Sequence, residues 1–68
     1  MTVSAQVKQT AATLKSAQAN LASFALSTGN QQARELYDNA AQVTQEIVES
    51  LQLRVRELEE EEPQYRAP

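Results

Sequence analysis

One glycine, Gly29 in Ser27-Thr28-Gly29-Asn30, separates two long stretches that contain no other glycine and no proline before Pro63. On both sides of it apolar residues recur every three or four positions. A chain so poor in helix breakers has few folds open to it, and the simplest is two helices turned back on one another. Glycine accepts the left-handed backbone that ends many helices, and Asn30 offers a side-chain oxygen to cap the next one. Residues 28–30 are therefore expected to form the turn.

Before the turn, Val3, Val7, Thr10, Leu14, Ala17, Leu21, Phe24 and Thr28 alternate steps of four and three, the spacing of a heptad seam. This predicts a helix over about residues 3–27, with Thr2 or Ser4 as its N-terminal cap. Ala5, Ala11, Ala12, Ala19, Ala22 and Ala25 surround the seam, and such small side chains let a neighbouring helix approach closely. After the turn, Leu36, Ala40, Val43, Ile47, Leu51, Val55 and Leu58 recur, flanked by Tyr37, Ala41, Thr44 and Val48. Their steps average about 3.7 residues, which fits a straight helix with a broad stripe better than a supercoiled seam. That helix is expected over about residues 31–60, ending before Pro63 because a residue preceding proline is pushed out of the helical region. The expected fold is all-α: an antiparallel two-helix hairpin over residues 1–62 with a tail at 63–68.

Counting back from Gly29 sets Leu21 near Tyr37, Leu14 near Thr44, Val7 near Leu51 and Val3 near Val55. Leu58 and the tail then project past the first helix. A chain of 68 residues is also small for a self-sufficient core. With no Cys and no His, disulfides are impossible and the usual zinc site is excluded, which leaves association as the remaining staple. Two hairpins packed apolar face to apolar face make a four-helix bundle, and closed two-fold dimers are the commonest oligomers. The expectation is a homodimer whose contacts come from Val7, Leu14, Leu21, Phe24, Leu36, Tyr37, Val43, Ile47, Leu51, Val55, Leu58 and Tyr65.

The net charge of −3 weighs against nucleic acid as the main ligand, since phosphate binding needs clustered Lys and Arg. From Met1 to Ala33 the only charges are Lys8 and Lys15; from Arg34 onward all nine acids stand against four arginines. The halves should attract when folded back, although exposed ion pairs are worth only about 0–1 kcal/mol each. No basic stretch followed by an apolar run is present, and no apolar run approaches the roughly 18 residues of a membrane span. The expected protein is cytoplasmic and not inserted in a membrane.

Carboxylates spaced three apart, Glu35 with Asp38 and Glu46 with Glu49, match the geometry of metal sites in bundles, but the histidines those sites use are absent. They read as a solvated charged face, with no cofactor and no metal. Glu57, Glu59, Glu60, Glu61 and Glu62 crowd the carboxyl end of the second helix, where the helix dipole disfavours negative charge. Arg54 and Arg56 can partly offset them, Arg56 by meeting Glu60 four residues on. A calcium-binding role for this run would need converging oxygens, which one helix end supplies poorly. Tyr65, an amphipathic ring in a polar tail, is suited to anchor an interface. Ser16 and Ser23 lack any histidine base, so the chain is not expected to be an enzyme.

Several pieces of the chain carry a family resemblance: Met1-Thr2-Val3, Gln6-Val7-Lys8-Gln9, Leu14-Lys15, Phe24-Ala25-Leu26, Leu36-Tyr37, Arg54-Val55, Leu58-Glu59 and Glu62-Pro63-Gln64-Tyr65. In these the chain resembles a short all-helical family of unknown function from endospore-forming bacteria. The resemblance implies a sporulation setting, in operons with the stage V A proteins that move dipicolinic acid and beside a membrane protein to which the domain can be fused. It implies a location in the forespore or spore, peripheral to the inner membrane, and no activity. The ending Arg66-Ala67-Pro68 departs from relatives that carry a lysine and glycine after the tyrosine. On these grounds the expected role is a self-associating interaction module with a spore membrane protein as further partner; the competing expectation is a protein that binds calcium or dipicolinate at the acidic helix end or in a bundle cavity.

Overall fold

Side-chain caps set both helix starts. Thr2 Oγ1 accepts from the Ala5 N–H at 3.1 Å and opens α1 (Val3–Ser27); Asn30 Oδ1 accepts from the Ala33 N–H at 2.9 Å and opens α2 (Gln31–Glu61). In this computed structural model, which describes residues 2–61, the two helices lie antiparallel as a hairpin 49 Å long. Tyr65 and the rest of the tail lie outside the described residues.

The turn does not use the left-handed backbone that its glycine allows. No described residue has a positive φ, Gly29 included. Instead α1 ends where Thr28 swings to extended backbone, φ −76° and ψ 141°, while its N–H still donates to the Phe24 carbonyl at 3.0 Å. Thr28 then organises the connection: its hydroxyl accepts from the Asn30 N–H at 3.2 Å, and its carbonyl accepts from Arg34 Nη2 at 3.1 Å. A methyl group placed on Gly29 would meet nothing within 4 Å. Gly29→Ala is therefore expected to keep the fold and to raise stability by about 0.4–1 kcal/mol through a less flexible unfolded chain. A chemical-denaturation midpoint below that of the wild type would contradict this account of the turn.

The helices meet along two strict heptads. On α1 Ser4, Ala11, Gln18 and Ala25 alternate with Val7, Leu14, Leu21 and Thr28; on α2 Ala41, Val48 and Val55 alternate with Tyr37, Thr44, Leu51 and Leu58. Ser4, Ala11, Ala25, Ala41, Val48 and Val55 are buried, and the other members are half-buried. Half of the seam read for the first helix thus gives way. Val7, Leu14, Leu21 and Thr28 do line the contact, but Val3, Thr10, Ala17 and Phe24 turn outward and the row beside them goes in, smaller at three of its four positions and larger at Gln18. Small side chains at the contact allow the closest packing of two helix axes, so the row of Ser4, Ala11 and Ala25 wins.

The second helix shows the same effect. Its apparent average of about 3.7 residues arises because Leu36, Val43 and Ile47 lie on an exposed row while Leu51, Val55 and Leu58 lie on the inner one. The stripe crosses from one row to the other. Within the seam itself the spacing is the shorter heptad period.

Register departs from the count made at Gly29 by about one helical turn. Phe24 stacks edge-on against Tyr37 with ring centroids 5.7 Å apart, Gln18 Nε2 donates to Gln45 Oε1 at 3.4 Å, and Ser4 Oγ donates to Glu59 Oε1 at 3.2 Å. Leu58 and Glu59 therefore sit level with the start of α1 and not beyond it. The cause lies in the turn: extended Thr28 advances the chain by about 3.3 Å, against 1.5 Å for a helical residue, so α2 begins above the end of α1. Of the excess length of α2, 31 residues against 25, most overhangs at the turn.

Candidate functional site

Helical geometry divides the hairpin into two broad faces. Residues advance by about 100° each, so the flank of α1 carrying Lys8 and Lys15 lies opposite the flank carrying Val3, Ala17 and Phe24. On α2 the same reasoning separates Gln52 and Arg56 from Leu36, Val43 and Ile47. Lys8, Lys15, Gln52 and Arg56 line one common groove, which fixes which flanks share a face. The other face then gathers Phe24 and Ala17 of α1 with Leu36, Ala40, Val43 and Ile47 of α2.

That second face is apolar and open. Phe24 is 52% exposed and Leu36 63% exposed, with Val43 and Ile47 close to half. Its apolar part is confined to the half of the hairpin nearest the turn. Towards the open end the same row of α2 continues as Ser50, Arg54, Glu57 and Glu61, where Arg54 Nη1 approaches Glu57 Oε1 at 3.8 Å and Glu61 Oε1 at 4.0 Å. Arg54, one of the two arginines expected to offset the acidic run, is the one that meets these glutamates. Among the described residues, Val3 is the one large apolar residue of this face at the open end.

The open end is closed by a polar latch. Ser4, with no exposure to solvent, donates to Glu59, and the same carboxylate oxygen forms an ion pair with Lys8. A buried hydroxyl needs such a partner, since an unpaired one would lose its hydration without return. Lys8 with Glu59 is also the cross-helix ion pair that the opposite charges of the two halves call for.

On the opposite face the groove encloses about 490 Å³ over a floor of Ala11, Ala12 and Val55. Three of the chain's six cationic side chains, Lys8, Lys15 and Arg56, stand around it. The acidic pairs Glu35 with Asp38 and Glu46 with Glu49 are all exposed and lie off the seam. No helix among the described residues is long and apolar enough to cross a membrane.

Of the twelve residues expected to make contacts between chains, eight are used within the chain. Val7, Leu14, Leu21, Tyr37, Leu51, Val55 and Leu58 pack one helix on the other, and Phe24 meets Tyr37 across the helices while keeping half its surface open; Leu36, Val43 and Ile47 are left facing outward. Tyr65 falls outside the described residues. Leu58, read as an overhanging contact, is instead half-buried in the seam because of the register. Ala11 and Ala25 are among the small residues expected to let a neighbouring helix approach, and both are buried; the sequence reading did not join them with Ser4 and Gln18 into one inner row, nor find Glu59 as the latch. The recurrence of small or polar residues at intervals of seven was a signal that could have found that row.

No curated protein and no solved structure matches the chain. Residues 7–55, which span the seam and both faces, match the family described as "Protein of unknown function (DUF1657)". That match covers most of the 68 residues and takes in the turn, the inner heptads except Ser4 and Leu58, and Phe24, Leu36, Val43 and Ile47, and the chain belongs to this family.

Proposed function

We propose that this protein is a non-enzymatic interaction module that self-associates through the apolar face formed by Phe24, Leu36, Val43 and Ile47. The observation that carries the reading is the division of labour along α2. Its inner heptad is already satisfied by α1, yet a second apolar row stays exposed beside it. A helix that needs only one partner has one stripe; two adjacent stripes call for a second neighbour, as in a four-helix bundle. The setting we assign is the bacterial spore or forespore, with a membrane protein as further partner, on the resemblance set out above. Sedimentation equilibrium from about 5 to 500 µM tests the reading. A mass rising from one chain to two is expected, and a single-chain mass throughout, with helical circular dichroism intact, would reject it.

A second reading draws on the cationic groove. Lys15 and Arg56 over an alanine and valine floor suit a small organic anion with an apolar body, with Lys8 at the rim already paired to Glu59, and dipicolinate has that character. Calcium is the weaker form of this reading, because Glu59 is turned to Ser4 and Lys8 while Arg54 lies by Glu57 and Glu61. Calorimetry with dipicolinate and with calcium separates the two: heat with the dianion that vanishes in Lys15→Glu supports the groove, and no heat with either ligand removes this reading.

A further inference from the structure

The apolar face is unevenly placed along the rod, and that placement specifies how a second copy would dock. Leu36, Ala40, Val43 and Ile47 occupy about three turns of α2 next to the turn, and Phe24 and Ala17 flank them from α1. Beyond Ile47 the row becomes Ser50, Arg54, Glu57 and Glu61. The four large residues expose on the order of 400 Å² between them, taking a fully exposed large side chain as roughly 150–200 Å². Two copies would remove about 800 Å² from these residues alone, and with the rim of the patch they reach the lower range of specific interfaces, about 1,200 Å².

Resting on the proposed self-association, we infer that two hairpins pair antiparallel and staggered, with the two-fold axis crossing α2 between Ala40 and Val43. Leu36 of one protomer then lies against Ile47 of its partner, and Ala40 against Val43. The turn ends overlap. The open ends, each carrying Glu57, Glu59, Glu60 and Glu61, point away from one another.

Two other arrangements bring the same faces together, and each meets a charge penalty. If the rods were flush and antiparallel, Leu36 would come level with the segment of Arg54 to Glu57, and apolar burial there would strip water from charged groups. If the rods were side by side with both turns at one end, the apolar patches would match, but the glutamate-rich ends would be neighbours and would repel. Only the staggered pairing joins patch to patch and holds the acidic ends apart.

The chain has no cysteine, so single cysteines at exposed positions give unambiguous spin-label sites. Gln32→Cys reports the turn end and Glu60→Cys the open end, both on exposed residues of the full chain. From the helical rise, the staggered dimer is expected to give separations between protomers of about 30 Å for Gln32→Cys and about 55 Å for Glu60→Cys. Near-equal separations of about 40 Å would mean the flush pairing, and two short separations under about 20 Å the side-by-side pairing; either would overturn this inference while leaving self-association standing. The absence of any inter-protomer distance at concentrations of several hundred micromolar would instead overturn the self-association on which it rests.

Discussion

Val48→Asp is expected to abolish the hairpin. Val48 is 2% exposed at the middle of α2's inner heptad, between Ala41 and Val55, both of them buried. A carboxylate there loses its water; Ala41 and Val55 offer it no side-chain hydrogen bond, and the hydroxyl of Thr44 one turn away already donates to the Ala40 carbonyl at 2.7 Å. The penalty for an unpaired buried charge is several kcal/mol, and a chain of this size has only about 3–5 kcal/mol to lose. The expected result is loss of most of the helical signal at 222 nm at room temperature. Val48→Ala supplies the graded comparison: it removes two methyl groups, should cost about 1–3 kcal/mol and should leave a folded protein with a lower melting temperature. If Val48→Asp melted at the wild-type temperature, the inner heptad described above could not be the core.

Val43→Glu is expected to act on the other row and to spare the fold. Val43 is 46% exposed and stands next to the proposed axis; in the single hairpin a glutamate there remains hydrated. In a dimer it would be buried twice, once from each copy. A weakening of at least about 100-fold is expected, which corresponds to about 2.7 kcal/mol, with helicity per residue unchanged. Leu53→Glu is the matched control, because Leu53 is 51% exposed but lies on the side of α2 turned away from α1. It should leave the mass of the assembly as it was. Equal dissociation in both variants would point to a general effect of added negative charge, and no dissociation in Val43→Glu would show that the apolar face is not the contact.

These two variants lie five residues apart on one helix and separate the two kinds of burial in this molecule. Their contrast marks how much of the structure could be read from the chain. Gly29 with its neighbours, the cap residues Thr2 and Asn30, and the three-and-four spacing of apolar residues were enough to place two helices and the connection between them. Such signals act within a few residues, and a heptad declares a helix whichever of its rows is finally used.

The choice of row was harder to see. Val3, Val7, Thr10 and Leu14 make as regular a seam on paper as Ser4, Val7, Ala11 and Leu14 do in the hairpin, and the two share every second member. Hydrophobicity favours the first, because Phe24 outranks Ala25. Closeness of approach favours the second, since Val3, Thr10 and Phe24 would hold the helices further apart than Ser4, Ala11 and Ala25 do. Sequence reading weighted the wrong property at that point.

The apolar face came out of the same ambiguity. In the sequence Leu36, Val43 and Ile47 form one continuous stripe with Leu51, Val55 and Leu58, and only packing splits it into a row used within the hairpin and a row left open. The overhang was misplaced for a different reason, because a register count assumes a symmetric turn. Extended Thr28 with Arg34 reaching back to its carbonyl makes the turn asymmetric, and this brings Glu59 to Ser4 and Lys8.

The amino-acid sequence by itself determined that this protein is two helices in a hairpin, that its second half is acidic, and that it lacks the residues for disulfides, histidine-based metal sites and histidine-assisted nucleophiles. The tertiary structure decided which heptad row is core, the register of the arms, the latch at Glu59, and the division between a cationic groove and an apolar face. The physical reason is one of range. Helix formation and capping are settled by neighbours within a turn or two, whereas the face that one helix shows another depends on how closely two surfaces can approach, and that is a property of the pair.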